Sequence, residues 1–253
     1  MRRINKLCKT VYISWEDPGS RRWYVVGQLS EQLEGGFEFV YTKGAQKSKN
    51  FIPFPGMSVL ERVYRSSELF PLFANRLLGK NRPEYRQFID WLELPVENPS
   101  PLDILSRSGG ARATDSFQVF ERVRPNDQGE FSVIFFLHGL SHVGKSAPDR
   151  VLTLKPGESL RLAPDPQNQV DNTSIVLIAE PTEVIGFLPR YLARDMATLL
   201  EQDATCFHAR VIATHDRAPR HYKLLCEVSG KVPDELKSKV FENEEYSPIA
   251  NFC

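Results

Sequence analysis

Between residues 131 and 228 the apolar residues arrive in short blocks, at 131–138, 151–154, 159–162, 174–179, 184–188, 205–214 and 222–228, set off mostly by Pro, Gly, Asn or Asp. Runs this short, rich in Val, Ile and Phe and bounded by turn formers, read as strands. The spacing changes once, over 189–201, where Leu192, Met196, Leu199 and Leu200 fall on one helical face and Pro189 stands near the start. Many short strands with one inserted helix predict a small barrel of the OB or SH3-like kind.

The front of the chain is patterned differently. Residues 11–15, 23–27 and 36–41 alternate as half-buried strands do and predict an antiparallel sheet. From Ser66 the period becomes helical, with Leu69, Phe70, Phe73, Leu77 and Leu78 on one face and Gly79 placed to end it. Pro83 opens a second helix carrying Tyr85, Phe88, Ile89 and Leu92, and 101–105 suggests a short third. The expected fold class is therefore α+β: an N-terminal antiparallel sheet with helices over 1–122, a polar linker or hairpin turn over 122–130, a small OB/SH3-like β-barrel with an inserted helix over 131–230, and a polar helix or tail over 231–253.

With 253 residues and 41% hydrophobic composition the chain can bury a real core. No run approaches the ~18 apolar residues that would suggest a membrane span, and the opening residues lack an apolar signal core, so the expectation is a cytoplasmic protein without membrane contact. Cys8, Cys206, Cys226 and Cys253 are scattered without a C-x-x-C pair, which points to reduced thiols and away from a disulfide framework or zinc knuckle. Lys+Arg and Asp+Glu both total 32, so any nucleic-acid site must be local and not a property of the overall charge.

Gly139 to Ser146 satisfies G-x-x-x-x-G-K-[ST], the phosphate-cradling loop, and follows a strand. That chemistry requires a helix beginning at Lys145-Ser146, whereas the continuation through Pro148 to Leu154 reads as a turn and a strand. A nucleotide hydrolase using Lys145 would bind magnesium-ATP and lose it in Lys145→Ala. No Ser-His-Asp, metal-ligand or paired-carboxylate constellation stands out, and the expectation is a non-enzymatic protein with no catalytic residue, metal or cofactor.

Three blocks in the back half carry a family resemblance: Phe136-Leu-His-Gly-Leu140, Leu160 through Asp165-Pro-Gln-Asn168-Gln-Val-Asp171 to Ile175, and Ile185-Gly-Phe-Leu-Pro-Arg190-Tyr-Leu-Ala193. Together they resemble the HIRAN domain over about a hundred residues. The resemblance implies a binder of single-stranded DNA or DNA ends, since a eukaryotic relative holds the 3′ end of single-stranded DNA. By position Asp171 would face the terminal hydroxyl, Arg190 would meet a phosphate, and Phe187 occupies the aromatic slot beside them, with Asn168 in the same turn as Asp171. A carboxylate accepts from a hydroxyl, a guanidinium forks phosphate and a ring stacks on a base. Two positions depart from the relative, which has a stacking Tyr where this chain has Val170 and an Arg-Tyr pair where it has Ser141-His142; base stacking is worth roughly 1–3 kcal/mol per base.

Each of these residues also has a structural reading. Asp165, Asn168 and Asp171 can cap and close a turn, Arg190 can be a solvated helix-start arginine, and Phe187 can be a core ring. A second basic cluster, His208, Arg210, His215, Arg217, Arg220, His221 and Lys223, either lines a groove that tracks a nucleic-acid backbone or is a solvated loop.

The front half resembles the N-terminal subdomain of HipA-type kinases through Tyr24-Val-Val-Gly-Gln-Leu29, Gly36-Phe-Glu-Phe-Val-Tyr41, Phe51-Ile-Pro-Phe54, the 67–78 block and Asp103 to Ala111. In those kinases the subdomain carries no catalytic residue, so the resemblance implies an interaction module. The combined expectation is a bacterial nucleic-acid-binding adaptor that recruits a protein partner such as a DNA-processing enzyme. The alternative is a regulator or antitoxin-like subunit of a separately encoded HipA-type serine/threonine kinase.

Overall fold

The computed structural model describes residues 7–111, 116–168, 171, 173–203, 207–237 and 239–250, with backbone only for Leu7 and Cys8. The chain forms two compact units, one from residues 1–122 together with 243–253 and the other from 123–242. Both are antiparallel sheets with a few helices, an α+β arrangement.

In the first unit β1 (Leu7–Glu16), β2 (Trp23–Gln32), β3 (Phe37–Tyr41), β4 (Tyr64–Ser66) and β5 (Phe117–Phe120) form one sheet in the order β4-β3-β2-β1-β5. Alternate residues Val11, Ile13, Leu29, Phe39 and Tyr41 point into its core, where Phe39 packs against the rings of Tyr41, Phe54 and Phe73. Gly27 is required there, because a Cβ would lie 2.6 Å from the Phe39 ring. The buried Tyr41 hydroxyl accepts from the Phe54 N–H at 2.6 Å and donates to the Met57 carbonyl at 2.7 Å. Burial pushes this phenol up to about 12. Of the helices α1 (Pro71–Ala74), α2 (Tyr85–Trp91) and α3 (Pro101–Ser108), the last is the best signalled. Ser100 accepts from the Leu102 N–H at 3.2 Å as its cap, Pro101 opens it, and Gly109 ends it at φ 76°.

The helix expected from Ser66 is cut to a single turn. Tyr64–Ser66 pairs with β3 as an edge strand, and beyond Ala74 the chain turns so that the Arg76 guanidinium sits 3.5 Å over the Phe117 ring and donates to the Gly110 carbonyl at 2.7 Å. A cation on an aromatic face and a backbone acceptor outweigh the helical propensity of the segment.

The second unit is a sheet in the order β6-β11-β10-β7-β8-β9, built from β6 (Glu130–Phe136), β7 (Ser159–Pro164), β8 (Ile175–Ala179), β9 (Glu183–Phe187), β10 (Phe207–Thr214) and β11 (Leu224–Lys231). Helix α5 (Arg190–Gln202) lays Leu192, Met196 and Leu199 into the same core as Leu177, Ile185, Val211 and Val228. The polar stretch before β6 is a turn closed by Asn126, whose side chain accepts from the Gln128 and Glu130 N–H groups at 3.0 and 2.8 Å.

Two expectations require correction. Residues 151–154 are not a strand: α4 (Ala147–Thr153) runs there, because Ala147, Val151 and Leu154 recur at helical spacing and are all buried. A helix therefore does follow Lys145-Ser146, and other features tell against a phosphate cradle. Ala147 N–H bonds the Gly144 carbonyl at 3.1 Å, Asp149 and Arg150 N–H both bond the Ser146 carbonyl, Pro148 has no N–H, and β6 pairs in an antiparallel sheet. The segment 231–253 is expected as a tail, but its described residues, 231–237 and 239–250, are built into the two units. Val232, Leu236, Val240 and Phe241 join the second core, with Phe241 5.2 Å from Phe131, whereas Tyr246 packs edge-on against Tyr12 at 4.9 Å and Glu245 accepts from the Val25 N–H at 3.2 Å in the first.

Candidate nucleic-acid interface

The edge strands β6 and β9 of the second unit meet at one end. Leu137 N–H still donates to Leu224 O of β11 at 2.9 Å, but the next residue, His138, turns to Phe187 and exchanges two backbone bonds with it, at 3.0 and 2.9 Å. Two glycines permit the approach. A Cβ on Gly186 would lie 2.6 Å from the His138 carbonyl, and one on Gly139, at φ +68°, would lie 2.5 Å from the Phe187 ring. The Phe187 ring thus rests on Gly139 and remains half-buried instead of entering the core.

Cationic and titratable side chains gather around this junction. Arg190 is the first residue of α5, three positions beyond Phe187, and its charge bears on His138. On the other side of β6 the Phe136 ring lies 5.1 Å from Tyr222, and His221 lies 4.0 Å from Tyr222, in the segment just before β11. Arg220 donates from Nη1 to the Ser141 hydroxyl at 3.2 Å, tying that segment to the loop after Gly139. Exposed His142 belongs to the same loop and its N–H closes a turn on the Gly139 carbonyl at 2.8 Å. Burial, followed by the charges of His221 and Arg190, lowers His138 to about 4; desolvation of its ring also lowers His221.

Asp171 lies in the loop joining β7 to β8. Its Oδ1 accepts from both the N–H and the hydroxyl of Thr173, at 2.9 and 2.6 Å, and its own N–H donates to Asn168 Oδ1 at 3.2 Å. Asn168 in turn donates to Asp165 Oδ2 at 3.1 Å, and Asp165 N–H bonds the Ser174 carbonyl at 2.8 Å. These residues form the closed Asx turn that their spacing allows, while Oδ2 of Asp171 takes part in none of these bonds. The loop emerges at the same end of the sheet as Arg190, because Leu188 N–H donates to Ile175 O at 2.9 Å where β8 begins. Val170, the position of the departure in stacking, lies outside the described residues.

The second basic cluster does not form one groove. His208 and Arg210 pair with Ser229 and Glu227 farther along β10, about 20 and about 13 Å of strand from its Thr214 end, and the Arg210 guanidinium is bonded to Glu227. Lys223 Nζ donates to the Asp216 carbonyl at 2.7 Å. Arg217 is exposed in the turn between β10 and β11, and Arg220 and His221 are the members of that cluster that reach the junction. Of the residues anticipated from sequence, Phe187, Arg190, His142 and Arg220 are thus brought to one end of the sheet. His138 is not among the residues anticipated from sequence, since its place at the junction follows from a pairing with a strand 49 positions away. Among the described residues no group of three or more His, Cys, Asp or Glu is arranged to hold a metal ion.

No curated protein matches the chain. A protein from Lactobacillus plantarum of known crystal structure is 20% identical, with 40% of this chain and 99% of that one covered at a TM-score of 0.31. The crystal structure of the HIRAN domain of human HLTF is 14% identical, with 49% and 98% covered at a TM-score of 0.36. The family model that matches is the HIRAN domain, over residues 130–233, a span that begins with β6 and ends two residues beyond β11. Residues 130–233 of this chain are a HIRAN domain.

Proposed function

We propose that the HIRAN domain binds single-stranded DNA or DNA ends at the junction of β6 and β9, and that the first unit recruits a protein partner, making the chain a binding adaptor and not an enzyme. The observation that carries the reading is the half-buried Phe187 ring seated on Gly139, with Arg190 on one side and Arg220, His221 and His142 on the other. The open part of this half-buried ring offers a stacking face to a base, and the guanidinium groups of Arg190 and Arg220 suit the phosphates on either side of it. Asp171 Oδ2 is the acceptor for a terminal hydroxyl, its carboxylate held in place by Thr173 and its backbone by Asn168. The sheet closes into a small barrel at the His138–Phe187 bridge, which sets the ring and the cations on a stiff rim.

The test is fluorescence anisotropy with labelled single-stranded DNA carrying a free or blocked 3′ end and a duplex control, at about 50 and 200 mM salt, because phosphate-driven binding weakens with salt. Binding that prefers single strands and drops about tenfold or more in Phe187→Ala supports the interface, the loss of one stacked base being worth roughly 1–3 kcal/mol. A preference for the free 3′ end that disappears in Asp171→Ala assigns the hydroxyl to that carboxylate. No binding to any probe refutes the DNA reading and leaves the protein-contact role, of which a regulator of a separately encoded HipA-type kinase is the specific form.

A further inference from the structure

His138 is flanked from both sides of β6. Its backbone is bridged to Phe187, which leads within three residues to Arg190, while the preceding residue, Leu137, bonds Leu224, which directly follows the His221-Tyr222-Lys223 segment. The backbone pairings thus place His138 between the segment that carries Arg190 and the one that carries His221, both of whose charges act on its imidazole, with Arg220 bonded to Ser141 and His142 next to it on the adjoining loop. Burial first, then the neighbouring His221 and Arg190, oppose protonation of His138 in the absence of an anion. A phosphate placed among these groups reverses the sign of the local field and favours the imidazolium forms.

We propose that His138 and His221 are proton-dependent phosphate ligands, so that strand binding is coupled to proton uptake and strengthens as the solution is acidified. The inference rests on the DNA-binding reading above and adds its regulation. The sign follows from linkage: a group that binds its proton more tightly in the complex than in the free protein raises affinity as pH falls through its pKa in the complex, and the gain levels off below its pKa in the free protein. Each coupled proton contributes up to about tenfold in affinity per pH unit. At neutral pH the histidines are neutral and Arg190 and Arg220 act alone; under mild acid the same site gains up to two charges.

The experiment is single-strand anisotropy on the intact chain at constant ionic strength between pH 5.5 and 8, with a thymine-only oligonucleotide whose bases do not titrate in that range. Imidazole NMR titrations in the presence and absence of the oligonucleotide accompany it. The expected result is an affinity that rises several-fold or more from pH 8 to 5.5, His138 and His221 resonances that titrate at higher pH in the complex, and a pH dependence reduced in His138→Gln and again in His138→Gln/His221→Gln. His208→Gln, an exposed histidine on β10 away from the junction, serves as the comparison. Binding that is tight but independent of pH, or a pH dependence that the double variant retains in full, overturns proton coupling while the DNA interface stands. Absence of binding at every pH overturns both.

Discussion

Gly139→Ala tests the junction most directly. Gly139 has φ +68°, and an L-residue in that left-handed region costs about 1 kcal/mol. The added methyl would also lie 2.5 Å from Cδ2 of Phe187, a distance that obliges the ring to move. Overpacking in a sealed core costs roughly 1–3 kcal/mol; Phe187 is half-buried and can swing outward, which places this contribution near the lower end, about 1 kcal/mol. The expected destabilisation is therefore about 2 kcal/mol, and in a Phe187→Ala background the steric part vanishes, leaving about 1 kcal/mol and a coupling of similar size between the two positions. Tryptophan fluorescence reports the first unit, where Trp15, Trp23 and Trp91 all lie, so the suitable assay is native-state hydrogen exchange at the His138 and Phe187 amides, which donate to each other's carbonyls. Equal effects of Gly139→Ala in both backgrounds would refute the packing of the ring on the glycine, and an effect below about 0.5 kcal/mol would refute the left-handed backbone as well.

Three further outcomes are expected. The folded protein holds His138 at about 4 against an ordinary value near 6.5, so its contribution to stability is full above pH 6.5 and is lost as pH falls toward 4. The full shift corresponds to about 3 kcal/mol and solvent screening of a half-buried ring brings it nearer 2, and His138→Gln should flatten the fall in hydrogen-exchange stability over that window. Tyr41→Phe removes the hydroxyl that joins Phe54 N–H to Met57 O and should cost the first unit about 2 kcal/mol in urea unfolding followed by tryptophan fluorescence; a change under about 0.5 kcal/mol contradicts the buried bridge. Arg190→Ala should weaken single-strand binding and reduce the slope of log affinity against log salt by about one phosphate contact, whereas an unchanged slope places Arg190 away from the phosphates.

The sequence carried the strands of the HIRAN domain well because each is an apolar block bounded by turn residues, and α5 because Leu192, Met196 and Leu199 repeat at helical spacing. It misled at 147–154, where β-branched Val151 and Thr153 imitate a strand and the buried series Ala147, Val151, Leu154 decides for a helix. Within the site, Phe187 and Arg190 lie in one contiguous block and were visible as a pair. His138 and Ser141 are placed at the junction by partners at Phe187 and Arg220, and no local spacing encodes such contacts. Strand β5 was missed for the same reason: Phe117–Phe120 is too short to announce itself and is fixed by antiparallel pairing with β1, more than a hundred residues earlier.

The return of residues 243–250 to the first unit bears on synthesis. By the time residue 122 has left the ribosome, all five strands and three helices of that unit exist as chain, yet the Val25 N–H has no Glu245 to bond, the ring of Tyr12 has no Tyr246 to pack against, and Thr42 lacks its bridge to Pro248. The second unit has all of its own residues once position 242 is made and can fold first. Of the two units, the one that starts earlier in the chain is thus the later to be completed, and a ribosome that stalls before about residue 246 holds a chain whose second unit has all of its residues while the first still lacks some of its own.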